Sequence, residues 1–160
     1  MQLSLSYKKF FSEIKESIID SKYDIVTVIN KKQLLLYFKL GNIISLKLTQ
    51  ENWGTTVIDQ ISSDLQQALP GIKGYSSRNL RKMRQFYEAY GDRSNLAVAT
   101  AKLENQFYSI PFSHHMVIIS KCKNQEERLF YISEAASQYW SVEQLETQIE
   151  ANLFEHQGKM

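Results

Sequence analysis

The stretch that decides the fold runs from residue 76 to residue 91 and reads SSRNLRKMRQFYEAYG. Its apolar residues recur at the three- and four-residue spacing of an α-helix and fall on one side of a helical wheel. They are Leu80, Met83, Tyr87 and Tyr90, with Phe86 at the edge of that side. Ser76 or Ser77 suits the cap at the start, and Gly91 suits the left-handed position beyond the end. The stretch therefore predicts an amphipathic helix with its apolar side in a core.

The opposite side of this predicted helix is basic, with four polar side chains in one arc of roughly 100°. They are Arg78, Arg81, Lys82 and Gln85. Between residues 71 and 93 six basic residues stand against two acids, whereas between 124 and 156 seven acids stand against one arginine. A chain with a net charge of only +2 thus has a basic middle and an acidic end. Exposed cations of this kind suit phosphate contact, although many surface helices carry them without a ligand.

Helical periodicity continues on both sides of this stretch, and only two prolines and six glycines interrupt the 160 residues. So few helix-breaking residues favour long helices over many short strands. We therefore expect an all-α fold, a multi-helix bundle of about six to eight helices with helix-turn-helix-like elements. The expected helices span residues 8–21, 24–47, 56–69, 77–90, 96–103, 113–121, 125–139 and 142–155. Loops are expected at 52–54, 70–74 and 104–111.

Several helix starts have the residues of a cap. Asn124 with Glu127, and Ser141 with Gln144, have the spacing of capping boxes. Ser113 is the expected cap of the helix that precedes them.

Composition indicates one globular helical domain over residues 1–160, with sub-lobes at 7–91 and 111–156 as the alternative division. The chain is 43% apolar and 22% charged, which is enough to build a core. Cys122 is the single cysteine, so no internal disulfide can form. Without a signal sequence or a spanning apolar run, a cytoplasmic protein with no membrane partner is expected.

Residues that could support catalysis do not form a convincing site. His114 and His115 are adjacent on a predicted helix, so they cannot share one metal as an i, i+4 pair would. The strings at 13–15 and 20–22 match the acid-x-lysine end of a metal-dependent nuclease site, but no earlier acid completes it. Lysines beside Cys122 would lower its pKa, yet a buried or incidental thiol is the simpler expectation. We expect no catalytic residue, metal or cofactor in this chain.

Two segments are similar to a helix-turn-helix. Residues 132–145 have the turn and the cap, but Tyr139 replaces the usual glycine and the second helix is acidic. Residues 57–90 have a basic second helix, but their connecting loop is longer than three to four residues.

A set of motifs across the chain resembles the N-terminal domain of the YhcG-type PDDEXK nuclease family. The motifs include GYSSRNLRKMRQFY at 74–87, IPFSHH at 110–115 and WSVEQLETQI at 140–149. Earlier ones are VIN at 28–30, LLYFKLG at 35–41, WGTTVI at 53–58, and Leu65 with LPG at 69–71. ERLFY at 127–131 completes the set. The sequence departs at Phe38 and Phe112, where the family tends to have tryptophan, and at Tyr139.

The resemblance implies a helical domain that binds DNA or partners and, in family members, precedes a nuclease domain with a role in defence or DNA processing. The metal-binding acids of that nuclease domain would lie beyond residue 160. We therefore expect a non-catalytic targeting domain whose partners are double-stranded DNA and a nuclease domain or its complex. The expected nucleic-acid-binding residues are Lys73, Ser77, Arg78, Asn79, Arg81, Lys82 and Arg84.

The alternative function is a protein-interaction or oligomerisation module of the same nuclease system, without direct DNA contact. Its surface would be the acidic C-terminal helices or the aromatic side chains of Tyr139 and Trp140. The charge asymmetry would allow a homodimer in which the basic middle of one chain meets the acidic end of the other.

Overall fold

The computed structural model describes residues 4–91 and 101–158, and this part of the chain contains helices and no strand. The all-α prediction is confirmed. The α-helices are α1 (Leu5–Gln50), α2 (Thr56–Ala68), α3 (Ser77–Tyr90), α4 (Ala101–Ser109), α5 (Phe112–Lys121), α6 (Gln125–Gln138) and α7 (Val142–Glu150). A π-helical segment, Phe154–Gly158, follows them.

Helix α1 is a single helix of 46 residues, where the sequence predicted two. The prediction of a boundary at residues 22–23 is wrong, because neither glycine nor proline interrupts the backbone hydrogen bonds there. The Ser4 hydroxyl caps α1 by accepting a hydrogen bond from the backbone N–H of Tyr7, at 3.2 Å. At 1.5 Å per residue the helix is roughly 70 Å long.

The C-terminal half of α1 packs against α3. It buries Leu34, Ile44 and Leu48, and Gly41 lies where the two backbones meet. A β-carbon at residue 41 would lie 2.1 Å from the carbonyl oxygen of Met83, so only glycine allows this approach. The crossing fixes α3 against the longest element of the fold.

Two groups of buried side chains form the core, and α3 contributes to both. The larger group joins Phe86 and Tyr90 to side chains of α1 and of α4–α7. The smaller group joins Leu80 and Met83 to α1 and to Ile58 of α2. The predicted apolar side of α3 is confirmed at Leu80, Met83 and Tyr90, but Phe86 is fully buried in place of Tyr87, which is half-buried. The basic side of the helix is left facing outward.

The N-terminal half of α1 extends away from this core. Every residue from 5 to 26 is exposed, and the first clear tertiary contact is the edge-to-face packing of Tyr23 on Tyr139, with ring centroids 5.5 Å apart. Further along, Asn30 is buried and donates hydrogen bonds to the carbonyl oxygens of Tyr108 (2.9 Å) and Ile110 (2.6 Å). Within the described residues no helix is long and apolar enough to cross a membrane.

Several helix ends differ from the predictions. Gly91 has φ −64° and not the left-handed conformation expected of it. Helix α5 begins at Phe112, and Pro111 precedes it in an extended conformation with φ −65°. Proline suits the start of a helix because it has no N–H to leave unpaired. Ser113, the predicted cap, therefore lies inside the helix. Helix α4 occupies most of the segment predicted as a loop, since Phe107 and Tyr108 are buried. The rest of the helix predicted at 96–103 lies largely outside the described residues.

Other predicted ends are confirmed. Ser141 and Gln144 form the complete capping box of α7, with hydrogen bonds of 3.1 and 2.8 Å. Asn124 caps α6 by accepting from the N–H of Glu127 at 2.8 Å, but the return bond from the Glu127 side chain is not formed, so only half of the predicted capping box is present. Tyr139 ends α6 in the left-handed conformation at φ 55°, the role that a glycine usually has.

Candidate nucleic-acid interface

The loop between α2 and α3, residues 69–76, sets the position of the predicted basic helix. Gly71 and Gly74 have φ of 83° and 95°, which lets the chain turn sharply at two points. The Ser62 hydroxyl donates to the carbonyl of Tyr75 at 2.9 Å, and the Asn79 amide donates to the carbonyl of Gly74 at 3.3 Å. The loop is thus folded back on the start of α3, but it is longer than the turn of a compact helix-turn-helix.

The first turn of α3 uses its small polar residues for structure. Ser76 is the cap, since its hydroxyl accepts from the N–H of Asn79 at 3.2 Å. The Ser77 side chain bonds to the carboxylate of Asp59 on α2, and this bond, with a further one from Arg81, lowers the pKa of Asp59. Ser77 and Asn79, both predicted as binding residues, therefore have intramolecular partners.

Two of the predicted binding arginines are paired with acids. The Arg81 guanidinium lies 3.1 Å from the carboxylate of Asp59 and so joins α3 to α2. The Arg84 guanidinium lies 2.8 Å from Glu88, whose carboxylate also accepts a hydrogen bond from Ser45 of α1 at 3.0 Å. These pairs orient the two arginines and neutralise part of their charge.

The remaining predicted cations have no such partner among the residues that the structure describes. No carboxylate in the described part of the chain lies within 4.0 Å of Lys73, Arg78 or Lys82. Arg78 and Lys73 are exposed, and Lys82 is half-buried. Since Arg78 and Lys82 are four residues apart, they share one side of α3 with Arg81, which we call the basic face (Arg78, Arg81 and Lys82). Lys73 comes from the loop that packs on the first turn of the same helix.

The acidic helix α7 presents a different surface. Leu145 and Ile149 are buried, while Glu143 and Glu150 are exposed. Lys121 of α5 pairs with Glu150 at 3.3 Å. Negative side chains on the outer side of a helix repel phosphate, so this element does not suit DNA contact.

The two adjacent histidines are buried and bond to the backbone. His114 Nε2 lies 2.8 Å from the carbonyl oxygen of Trp140, and His115 Nε2 lies 2.8 Å from that of Phe107. Because a carbonyl only accepts, each Nε2 carries the proton and donates it. Burial lowers the pKa of His115 to about 4, so its ring is neutral at pH 7. Both histidines therefore have a structural role.

Cys122 is buried and unreactive. Burial, together with the nearby carboxylate of Glu127, raises the pKa of its thiol to about 12. The lowering expected from the neighbouring lysines is wrong, because burial dominates and the cation that opposes it is Arg128, not a lysine. The simpler expectation of a buried thiol is confirmed.

The described residues offer no metal site. Across 4–91 and 101–158 no three His, Cys, Asp or Glu side chains are grouped closely enough to hold a metal ion. The acid-x-lysine strings at 13–15 and 20–22 lie on the exposed part of α1, and the described residues contain no strand that could carry a partner acid.

The comparison with known proteins agrees with the motif pattern. The chain is 26% identical over 175 residues to a protein of Escherichia coli (strain K12) named "Putative nuclease YhcG". The match covers 93% of this chain and 46% of that protein, so the chain spans about half the length of the curated relative. No solved structure matches. Residues 13–156 match the family described as the DUF1016 N-terminal domain. The resemblance inferred from the motifs is confirmed, and the chain belongs to the DUF1016 N-terminal domain family.

Proposed function

We propose that this chain is a non-catalytic DNA-binding domain that targets a nuclease, and that the basic face of α3 contacts the phosphates of double-stranded DNA. The observation that supports this most directly is the outward position of Arg78 and Lys82, with no carboxylate of the described residues beside them. Cations without an internal partner release bound counterions from DNA when they contact phosphate, and this release favours binding.

The neighbours of these two cations support the same function. Arg81 is held by Asp59 and needs little further ordering before it meets a phosphate. Lys73, on the loop that packs against the start of α3, extends the surface beyond the helix. Helix α3 is rigid because Gly41 and the buried side chains fix it to α1. A fixed helix with outward cations has the form that a major groove, about 12 Å wide, accepts.

Catalysis belongs, in this proposal, to a nuclease domain or its complex. The described residues supply no metal site, and the relative named as a nuclease extends well beyond the matched region. The role of this chain is then to hold the nuclease on DNA.

The proposal is tested by fluorescence polarisation with a labelled duplex of about 25 base pairs, a length that exceeds the footprint of one helix. The binding variant reverses Arg78 and Lys82 to Glu. The matched control reverses Lys9 and Lys123 to Glu, which makes the same change in net charge at exposed positions outside the basic face. We expect the binding variant to lose at least about tenfold in affinity and the control to bind nearly as the wild type does.

Other results would overturn the proposal in distinct ways. An equal loss in both variants would mean that overall charge and not the basic face drives binding. No binding of the wild type at low salt would remove the DNA-binding function altogether. Single-stranded DNA and RNA of the same length, measured in parallel, test the preference for duplex DNA.

A further inference from the structure

The exposed half of α1 carries a regular apolar stripe. Its members follow the alternating spacing of four and three residues that is typical of the contact positions of a coiled coil. They are Tyr7, Phe11, Ile14, Ile18, Ser21, Ile25 and Val28. All are exposed, and the six large side chains are 43–57% accessible. An amphipathic helix rarely leaves such a stripe in water, because helices of this kind gain most of their stability from packing.

The stripe faces away from the helical core of the same chain. Leu34, the fully buried residue where α1 enters that core, lies roughly 160° around the helix from Ile18 and 180° from Ile25. The described elements of the chain therefore do not cover the stripe.

The stripe contains a hole of the kind that a coiled coil fills. A shallow depression is lined by apolar and serine side chains with one charged residue of each sign: Phe10, Glu13, Ile14, Ser17, Ile18, Ser21 and Lys22. In a parallel coiled coil, the knob at Ile18 inserts between Ile14, Ser17, Ile18 and Ser21 of the facing helix. The small side chains of the two serines leave space at this place.

We propose that a second copy of this chain covers the stripe, forming a parallel two-stranded coiled coil over residues 7–28. Half-exposed apolar side chains of this size present roughly 100 Å² each, so the stripe with Phe10 offers about 700 Å² per copy. A stable dimer of standard size buries about 800 Å² per partner, which is close to this area.

The charges beside the stripe select the parallel orientation. Lys8, Lys15 and Lys22 form a row seven residues apart along one edge. In an antiparallel pair this row would face the same row of the second copy, and like charges would repel. In a parallel pair the lysine row of one copy faces the opposite edge of the stripe on the other copy. Lys15 of one copy then lies over Phe10 of the other, and Lys22 lies beside Ser17. The lysine stems then cover apolar surface while their ammonium groups stay in water.

The interface is tested on the full chain by sedimentation velocity over a range of concentrations. The test variant is Ile18→Glu and the matched control is Ile19→Glu, because the two side chains are 52% and 53% exposed but only Ile18 lies on the stripe. Neither contributes to the core, so both variants should fold. We expect a wild-type dimer, an Ile19→Glu dimer, and an Ile18→Glu dimerisation constant weakened at least ~100-fold. A monomeric wild type, or equal behaviour of the two variants, would overturn the proposal.

The orientation is tested by oxidative cross-linking with oxidised glutathione. The variant Ser21→Cys places thiols opposite each other only in the parallel pair, and Ser12→Cys places them on its outer side. The native Cys122 is buried and does not compete. We expect a covalent dimer for Ser21→Cys alone. A sedimenting dimer that Ser21→Cys does not cross-link would exclude the parallel arrangement.

Discussion

The contact between α1 and α3 at Gly41 provides a sharp test of the structure. Changing Gly41 to Ala adds one carbon, which would lie 2.1 Å from the carbonyl oxygen of Met83 and 2.9 Å from the β-carbon of Tyr87. These neighbours are a backbone group and the base of a side chain, and neither can rotate away. The two helices must move apart.

The expected loss of stability follows from two opposing effects. Overpacking of a tight contact costs about 3 kcal/mol when the neighbours are this rigid. Alanine in place of a helical glycine recovers about 1 kcal/mol through its better helix propensity. The net loss is therefore about 2 kcal/mol, which lowers the melting temperature of a chain of this size by roughly 4–8 °C.

The assay is thermal unfolding followed by circular dichroism at 222 nm. The matched control is Gly54→Ala, since the nearest atom to a β-carbon there is 4.0 Å away and the backbone is not in the left-handed region. The control should stay within about 0.5 kcal/mol of the wild type. If Gly41→Ala melts at the temperature of Gly54→Ala, the two helices do not meet as described.

Two further predictions concern protonation and capping. The folded state holds the pKa of His115 at about 4, below its ordinary 6.5, so an unfolded chain takes up this proton first and stability decreases as the pH falls below 6.5. Between pH 7 and pH 5 this group should lower the free energy of unfolding, measured in urea, by about 2 kcal/mol. The variant His115→Gln should lose that part of the pH dependence. If the stability of both proteins changes equally with pH, the prediction is wrong. Ser141→Ala should lower the free energy of unfolding by about 1 kcal/mol, because it breaks the capping box. The control Thr55→Ala should be close to neutral, because the Thr55 hydroxyl makes no cap bond. Equal effects of the two variants in chemical denaturation would contradict the assignment.

The sequence predicted the elements whose signals are local. The start of α3 and the capping box of α7 depend on residues three positions apart, and both formed as expected. The continuity of α1 was missed because the absence of a breaker at residues 22–23 gives no positive signal. The apolar spacing in the first half of α1 also does not distinguish a helix that packs in the core of its own chain from one that packs on a second chain.

The candidate interface was only partly predictable for the same reason. The pair between Arg84 and Glu88 is visible from the i, i+4 spacing. The pair between Arg81 and Asp59 joins residues 22 positions apart and depends on the packing of α2 on α3. Only the tertiary structure separates this engaged arginine from Arg78 and Lys82.

The most direct test of the DNA-binding function is the salt dependence of duplex affinity. The slope of log affinity against log salt concentration counts the phosphate contacts, at about 0.9 per contact. Replacing Arg78 and Lys82 by Ala should reduce the magnitude of the wild-type slope by about 2, whereas the same change at Lys9 and Lys123 should leave it unaltered. A slope that stays at the wild-type value in the Arg78 and Lys82 variant would show that the basic face of α3 does not contact the phosphates.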